Sequence, residues 1–530
     1  MPSEPEGTHR ASRLLKSTSV VSSMTLLSRV SGLARDITFS YWFGAGIVMD
    51  AFIVAFKIPN LLRRFFSEGA FSQAFVPVIA EYRATRSWAE VRELIDRVSG
   101  TLSLVLFVIT AFGVIAAPLL IIAFAPGWVG DGGGRELATE MLRFTFPYIF
   151  FISLTGLAGG ILNTYGRFAV PAFTTVLLNL ILIFFAAWVA PRLDRPDLAL
   201  AYGVFAAGLV QLLFQFPFLL RAGLLPRPKW GAAHEGVRRI LRLMIPVIFG
   251  SSVAQISIML DTLIASFLVT GSISWLYYSD RLVEFPLGVF GIALATVILP
   301  SLSEHHARAS KESFSATLDW ALRCVLLISL PAAVGLAVLA KPTLITIFYG
   351  GVFNEADVEM AAASLCAFAP GLIGFILVKV LSPGYFARQD TLTPVRIGIR
   401  ALVLSMVFNV IFVVTLVYTR WAPAHAGLAA ATTLSALLNS TWLLRGLVRA
   451  GVYRPGTAWK RLFACVAGAC IAMALFAYWL LGRLGDWYAM STTAQIASLT
   501  LAVASSGSVY IAACYVLGLR FADFRHRAPV

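Results

Sequence analysis

The chain has 530 residues, 58% hydrophobic and only 13% charged, with a mean hydropathy of +0.81. A soluble domain is near half apolar and a quarter charged, so these figures exclude a mainly soluble enzyme and predict an all-α polytopic membrane protein. The 42 Lys and Arg against 27 Asp and Glu leave a net charge of +15, which in a soluble protein would point to nucleic acid. Five cysteines, none in a Cys-x-x-Cys pair, offer neither a disulfide framework nor a zinc site.

The first 17 residues are polar and basic, without the order of a cleavable signal, and are read as a cytoplasmic tail. Apolar stretches of helix length then alternate with Gly, Pro and charged punctuation. Fourteen transmembrane helices are expected, at 18–43, 50–79, 99–125, 138–164, 170–190, 199–220, 243–268, 273–302, 316–340, 358–384, 394–418, 425–444, 462–482 and 493–518.

With the N-terminus inside, the cytoplasmic gaps and tails hold 26 Lys and Arg, counting Arg396 at the edge of its span, and the outer gaps hold six. That asymmetry is the positive-inside signal. It puts both termini in the cytoplasm, accounts for much of the excess charge and argues against nucleic acid as a partner.

Shifting the chain against itself by 223 residues aligns Pro77 with Pro300, Glu81 with Glu304, Gly127 with Gly350, Pro147 with Pro370 and Pro171 with Pro394. The common offset suggests a duplication with six spans per copy. An even number gives both copies the same orientation, as in transporters whose repeats are related by an axis along the membrane normal. The expected organisation is a tail at 1–17, an N-lobe at 18–222, a cytoplasmic linker at 223–242, a C-lobe at 243–450 and two further helices with a C-terminal tail at 451–530. The two six-helix lobes are thus related by a pseudo-two-fold, and a cavity between them is expected.

Ten basic residues remain inside the spans: Arg29, Arg35, Lys57, Arg63, Arg64, Arg143, Arg281, Arg323, Lys379 and Arg400. With them stand the acids Asp36, Asp50, Glu68, Asp261, Asp280, Glu284 and Asp319. One charge at a helix centre costs roughly 2.5 to 3.5 kcal/mol on insertion scales, so such residues pair or face water. Arg143, Asp319, Arg323 and Arg400 lie near span ends, where they can snorkel. The first two spans carry five of the ten bases against three acids. Seven-residue spacing puts Arg29 and Asp36 on one helix face, and Asp50, Lys57 and Arg64 on another. The eighth span adds Asp280, Arg281 and Glu284, with Tyr277 one turn before Arg281. Gly32, Pro59 and Pro286 interrupt these helices where hinges would be needed. Arginine forks match phosphate oxygens, so an anionic head group, such as a lipid-linked diphosphate, is one reading. Pairing of the bases with the acids as structural glue is the other.

No Gly-Lys-Ser/Thr phosphate loop, His-Glu-x-x-His motif, Asp-rich metal box or Gly-x-Ser-x-Gly elbow occurs. A transporter is therefore expected rather than an enzyme, with no metal and no cofactor. A cationic-drug exporter would want an acidic cavity, and a channel a continuous pore.

The run from Ser28 to Tyr82, SRVSGLARDITFSYWFGAGIVMDAFIVAFKIPNLLRRFFSEGAFSQAFVPVIAEY, resembles the MurJ (MviN) family of lipid II flippases. So do FTFPYIFFISLTGLAGGILNTYGRFAVP from Phe144, SWLYYSDRLVEFPLGVFGIALATVILPSLS from Ser274 and VKVLSPGYFARQDTLTPV from Val378. The resemblance covers nearly the whole chain. It implies the multidrug/oligosaccharidyl-lipid/polysaccharide exporter fold, with the last two helices forming a groove for a lipid tail. It also implies the carriage of lipid II to the outer leaflet of the bacterial inner membrane. The substrate-binding arginines it implies are Arg29, Arg35, Arg63 and Arg281, with Asp36, Asp50, Lys57, Asn60 and Glu68 around the same cavity. The resemblance selects Arg63 where the seven-residue stripe selects Arg64. It further implies dependence on membrane potential, with chloride or sodium as candidate ions. The expected partners are membrane lipids and cell-wall synthesis or division proteins, around a monomer. Export of another polyprenyl-linked glycan, or drug/ion antiport within the superfamily, is the alternative.

Overall fold

The computed structural model describes residues 6–63, 70–129, 132–308, 310–456 and 458–520, and within these leaves aside the side chains of 6–22, 70, 72, 132, 246–258 and 292. Regular structure among the described residues is helical, apart from an isolated bridge between Gly350 and Phe353.

In chain order the first helices are α1 (Glu6–Phe43), α2 (Ile47–Arg63), α3 (Ala70–Thr85), α4 (Trp88–Ile115), α5 (Ala117–Phe124), α6 (Gly132–Thr145), α7 (Tyr148–Thr164), α8 (Ala169–Phe184), α9 (Ala199–Arg221) and α10 (Glu235–Ala265). Then follow α11 (Ser272–Pro286), α12 (Ile292–Ala307), α13 (Lys311–Val338), α14 (Ala340–Phe348), α15 (Glu355–Phe368), α16 (Gly371–Phe386), α17 (Leu392–Thr419), α18 (Ala424–Arg449), α19 (Trp459–Leu484) and α20 (Thr492–Val516).

Each of the fourteen expected spans falls on one of these helices or on a broken pair. Nine described stretches are long and apolar enough to cross a membrane, or ten if α15 and α16, bent by 43° at their junction, count as one. The breaks follow local chemistry. Pro147 and Pro370, which cannot donate into a preceding turn, stand immediately before α7 and α16. Pro286 ends α11, and a π-helical stretch, Leu287–Gly291, leads into α12. Ser87 with Glu90 and Asn354 with Asp357 form capping boxes that start α4 and α15. One difference lies at the N-terminus, where α1 begins at Glu6 inside the segment expected to be a tail.

The 223-residue offset reappears in the helix starts: Trp88 and Lys311, Ala117 and Ala340, Gly132 and Glu355, Tyr148 and Gly371, Ala169 and Leu392. Packing repeats as well: α2 on α6 as α11 on α15, α3 on α7 as α12 on α16, α4 on α7 as α13 on α16, and α8 on α9 as α17 on α18.

The chain forms two compact units, dividing after Thr270. The first has a core where Phe71, Phe75 and Ile79 of α3 meet Leu94 and Ile95 of α4 and Leu157 and Ile161 of α7. Val237, Ile240 and Met244 of α10 belong to the same core. The helix expected to open the C-lobe is therefore built into the first unit through its N-terminal part. In the second unit, α19 and α20 pack through Leu462, Val466, Ala469, Met473 and Tyr510 against Leu326, Leu327, Leu330 and Val334 of α13.

Candidate substrate site

In the first unit the candidate residues lie on α1 and α2. Arg35 is mostly buried, with 12% of its side chain exposed. Its Nε and Nη2 donate to Asp36 Oδ1 at 3.0 and 2.7 Å, and its Nη1 donates to Asn179 Oδ1 on α8 at 3.0 Å. The Asn179 amide donates in turn to Ser28 O (3.2 Å) and Ser31 Oγ (3.0 Å) on α1. Because guanidinium can only donate, it fixes which way the Asn179 amide points. Gly32 lies at this contact, 3.6 Å from Asn179 Nδ2 at the point where a Cβ would be. Helix α1 runs through Gly32 without a break, and a Cβ there would make only an ordinary contact with α8. Arg29 is half-buried, six residues before Arg35.

On α2, Asp50 is buried in the first turn, where the helix N-terminus favours a carboxylate. Lys57 Nζ donates to Thr262 Oγ1 on α10 at 2.8 Å. Buried Pro59 lies inside the helix one turn before its described end. Arg63 Nε donates to Asn60 Oδ1 at 2.9 Å, so Asn60 sets the plane of that guanidinium. Arg64 and Glu68 lie outside the described residues.

In the second unit, α11 carries Asp280, Arg281 and Glu284. Arg281 Nη1 meets Glu284 Oε2 at 2.6 Å, and its guanidinium lies 4.8 Å from the Tyr277 ring centroid. The one-turn spacing of Tyr277 and Arg281 thus becomes a cation–π contact. Asp280 is exposed. Two bonds clamp the helix to α15: Trp275 Nε1 donates to Asp357 Oδ1 (2.9 Å) and Ser279 Oγ to Ala361 O (2.7 Å). The other oxygen of Asp357 accepts from the Asn354 backbone at 3.1 Å.

Sequence reasoning missed Asn179, Thr262, Trp275 and Asp357. Asn179 was the detectable one, a lone amide in the apolar run FTTVLLNLILIF, since a buried amide in lipid needs a partner on a neighbouring helix. Among the described residues no group of three or more His, Cys, Asp or Glu could hold a metal ion. Chemically, each unit presents planar guanidinium groups whose orientation is set by neighbouring carboxylates and amides.

Long, broken apolar helices carrying partnered charges are those of a multi-pass membrane protein. A solved MurJ in its inward closed conformation superposes with a TM-score of 0.76 at 24% identity, covering 94% of this chain and 98% of that one. An inward-facing multidrug MATE transporter superposes at 0.66 and 16%, covering 82% and 98%. The family model described as lipid II flippase MurJ matches residues 39–498. A probable lipid II flippase MurJ of Vibrio cholerae is 48% identical over 522 residues, 97% of this chain and 98% of that protein. The Haemophilus influenzae counterpart is 46% identical over 510 residues (94% and 98%), and the Burkholderia cenocepacia lipid II flippase MurJ 42% over 521 (97% and 99%). The chain belongs to the MurJ lipid II flippase family.

Proposed function

We propose that this chain moves lipid II, the undecaprenyl-diphosphate-linked peptidoglycan precursor, from the cytoplasmic to the outer leaflet of the bacterial inner membrane by alternating access. The observation that carries the reading is 48% identity along essentially the whole chain to a protein named as a probable lipid II flippase. Arg29, Arg35, Arg63 and Arg281 take the diphosphate, since several forks sharing one anion bind without trapping it. Asp36, Asp50, Lys57, Asn60, Arg64, Glu68, Asp280 and Glu284 shape the surrounding field, and Gly32, Pro59 and Pro286 supply backbone give.

The working architecture is fourteen crossings with both termini cytoplasmic, an N-lobe at 18–222 and a C-lobe at 243–450 joined by the 223–242 linker. The final helix pair receives the lipid tail. The protein works as a monomer beside cell-wall synthesis and division proteins. Membrane potential resets the carrier, at about 2.3 kcal/mol per elementary charge per 100 mV, with chloride or sodium as the coupling ion.

The test depletes the protein and measures which leaflet holds lipid II, then restores Arg29→Ala, Arg63→Ala or Arg281→Ala at equal protein level. Lipid II should stay inside on depletion and with each variant. Unchanged arrival outside on depletion overturns the function, and unchanged arrival with all three variants overturns the clamp.

A further inference from the structure

Two aspartates outside the candidate site occupy equivalent places in the repeat: Asp96 on α4 and Asp319 on α13, 223 residues apart. Asp96 is buried, yet the segment it binds is the cytoplasmic strap that leaves α9 and leads to α10. Its Oδ1 accepts from the Arg227 backbone N–H at 2.8 Å, its Oδ2 meets Lys229 Nζ at 3.4 Å, and its backbone carbonyl accepts from Lys229 N at 2.9 Å. One turn on, Thr101 Oγ1 accepts from Gly231 N at 3.2 Å. Gly100 makes the contact possible, since a Cβ there would collide with the Lys229 backbone.

Asp319 does the same for the strap that leaves α18 and leads to α19. Its Oδ1 accepts from Tyr453 Oη at 2.8 Å and from Trp459 Nε1 at 2.7 Å, and Arg323 pairs with its other oxygen at 2.6 Å. Tyr453 is itself the 223-residue counterpart of Trp230, whose carbonyl accepts from Arg97. The Arg454 N–H adds a bond to Ser315 Oγ at 3.0 Å.

Each strap delivers a helix that rests on the unit it has just left. Beyond the first strap, Arg239 forks both nitrogens onto the two oxygens of Glu81 at 2.8 Å, and Val237, Ile240 and Met244 enter the first core. At the far end of α10, the Gly127 N–H donates to Ser266 Oγ at 3.1 Å. Beyond the second strap, α19 packs on α13.

We propose that Asp96 and Asp319 are matched tether points, one per repeat, which pin the outgoing straps so that α10 travels with the first unit and α19 with the second during transport. The moving body then ends at Thr270, not at the linker where the six-helix repeat ends. The proposal rests on the transport reading for its functional half and on strap docking for its structural half.

The experiment replaces the tether by a covalent bond that can be cut. The Lys229 N–H donates to the Asp96 carbonyl at 2.9 Å and the two side chains meet at 3.4 Å, so cysteines at these positions stand side by side. In Asp96→Cys/Lys229→Cys, oxidation should form the cross-link, mapped by peptide mass. Lipid II arrival should be near wild type when oxidised and several-fold lower after reduction. A variant active only when reduced would mean the strap must release, and one equally active in both states would mean the tether does nothing; either overturns the proposal, as does failure of the cross-link to form.

A second measurement needs no transport. In inside-out vesicles, Asp96→Leu should raise tryptic cleavage after Lys229 about tenfold, the effect of losing one charge-assisted hydrogen bond. Unchanged cleavage overturns the docking itself. Loss of transport in the wild type, with cross-link and cleavage as expected, would fault the flippase reading instead.

Discussion

Asn179→Ala tests whether Arg35 is positioned by α8. The substitution removes three hydrogen bonds, one of them from a guanidinium, at a buried contact between α1 and α8. Interhelical polar contacts in membranes average about 0.6 kcal/mol and reach about 1.7. With the charged bond at the upper end and two neutral ones at the mean, the loss comes to about 3 kcal/mol. Reversible unfolding in mixed micelles measures it, alongside lipid II arrival at equal protein level. Asn179→Asp separates glue from clamp: it still offers Arg35 an acceptor, so most stability returns, but it places a second carboxylate beside the guanidinium. If Arg35 takes the diphosphate, transport falls while stability holds. Wild-type stability and transport in Asn179→Ala would refute the positioning argument, and full transport in Asn179→Asp would refute the role given to Arg35.

Glu284→Gln weakens the partner that competes for Arg281, so purified protein should bind lipid II more tightly and turn it over more slowly, by titration and by leaflet assay. Gly100→Ala forces a Cβ into the Lys229 backbone and should cost about 1–3 kcal/mol, read as faster tryptic cleavage of the strap at Lys229 in inside-out vesicles. Hydrogen bonding from Arg239 holds the Glu81 carboxyl below its ordinary value, so its contribution is fully present above the unfolded value near 4.5 and is lost as pH falls through the lower folded value. The melting difference between wild type and Glu81→Gln should therefore be flat from pH 8 to 5 and shrink only below about 4.5.

The helices and the repeat were legible because lipid imposes a length and hydropathy that sequence records directly. The fixed offset survived as well, since Pro147 and Pro370 end helices for the same local reason. The supports of the site were less legible. That Tyr277 and Arg281 would meet follows from one turn of helix; that Asn179 would meet Arg35 depends on which face of α8 lies on α1, and hydropathy is silent there. The bond from Lys57 to Thr262 was not legible either, because helical phase on α2 alone cannot reveal an acceptor on α10. Asp319 read as an end-of-span charge and Asp96 was not singled out, because their partners lie in or beside straps with no periodicity.

Each candidate arginine with a described partner already holds one: Arg35 has Asp36 and Asn179, Arg63 has Asn60, Arg281 has Glu284. Glue and clamp are therefore not exclusive. An arginine left bare in a low-dielectric site would cost several kcal/mol and would hold a diphosphate too firmly to let go. One that exchanges a resident carboxylate or amide for phosphate oxygens makes a near-balanced trade, since bonds lost and gained are of one kind. On the proposed clamp the head group would gain affinity mainly from engaging several forks at once, and returning each fork to its resident partner would drive release. A carrier that must bind on one side of the membrane and discharge on the other needs that balance, and on the proposed clamp the acids beside the arginines would supply it.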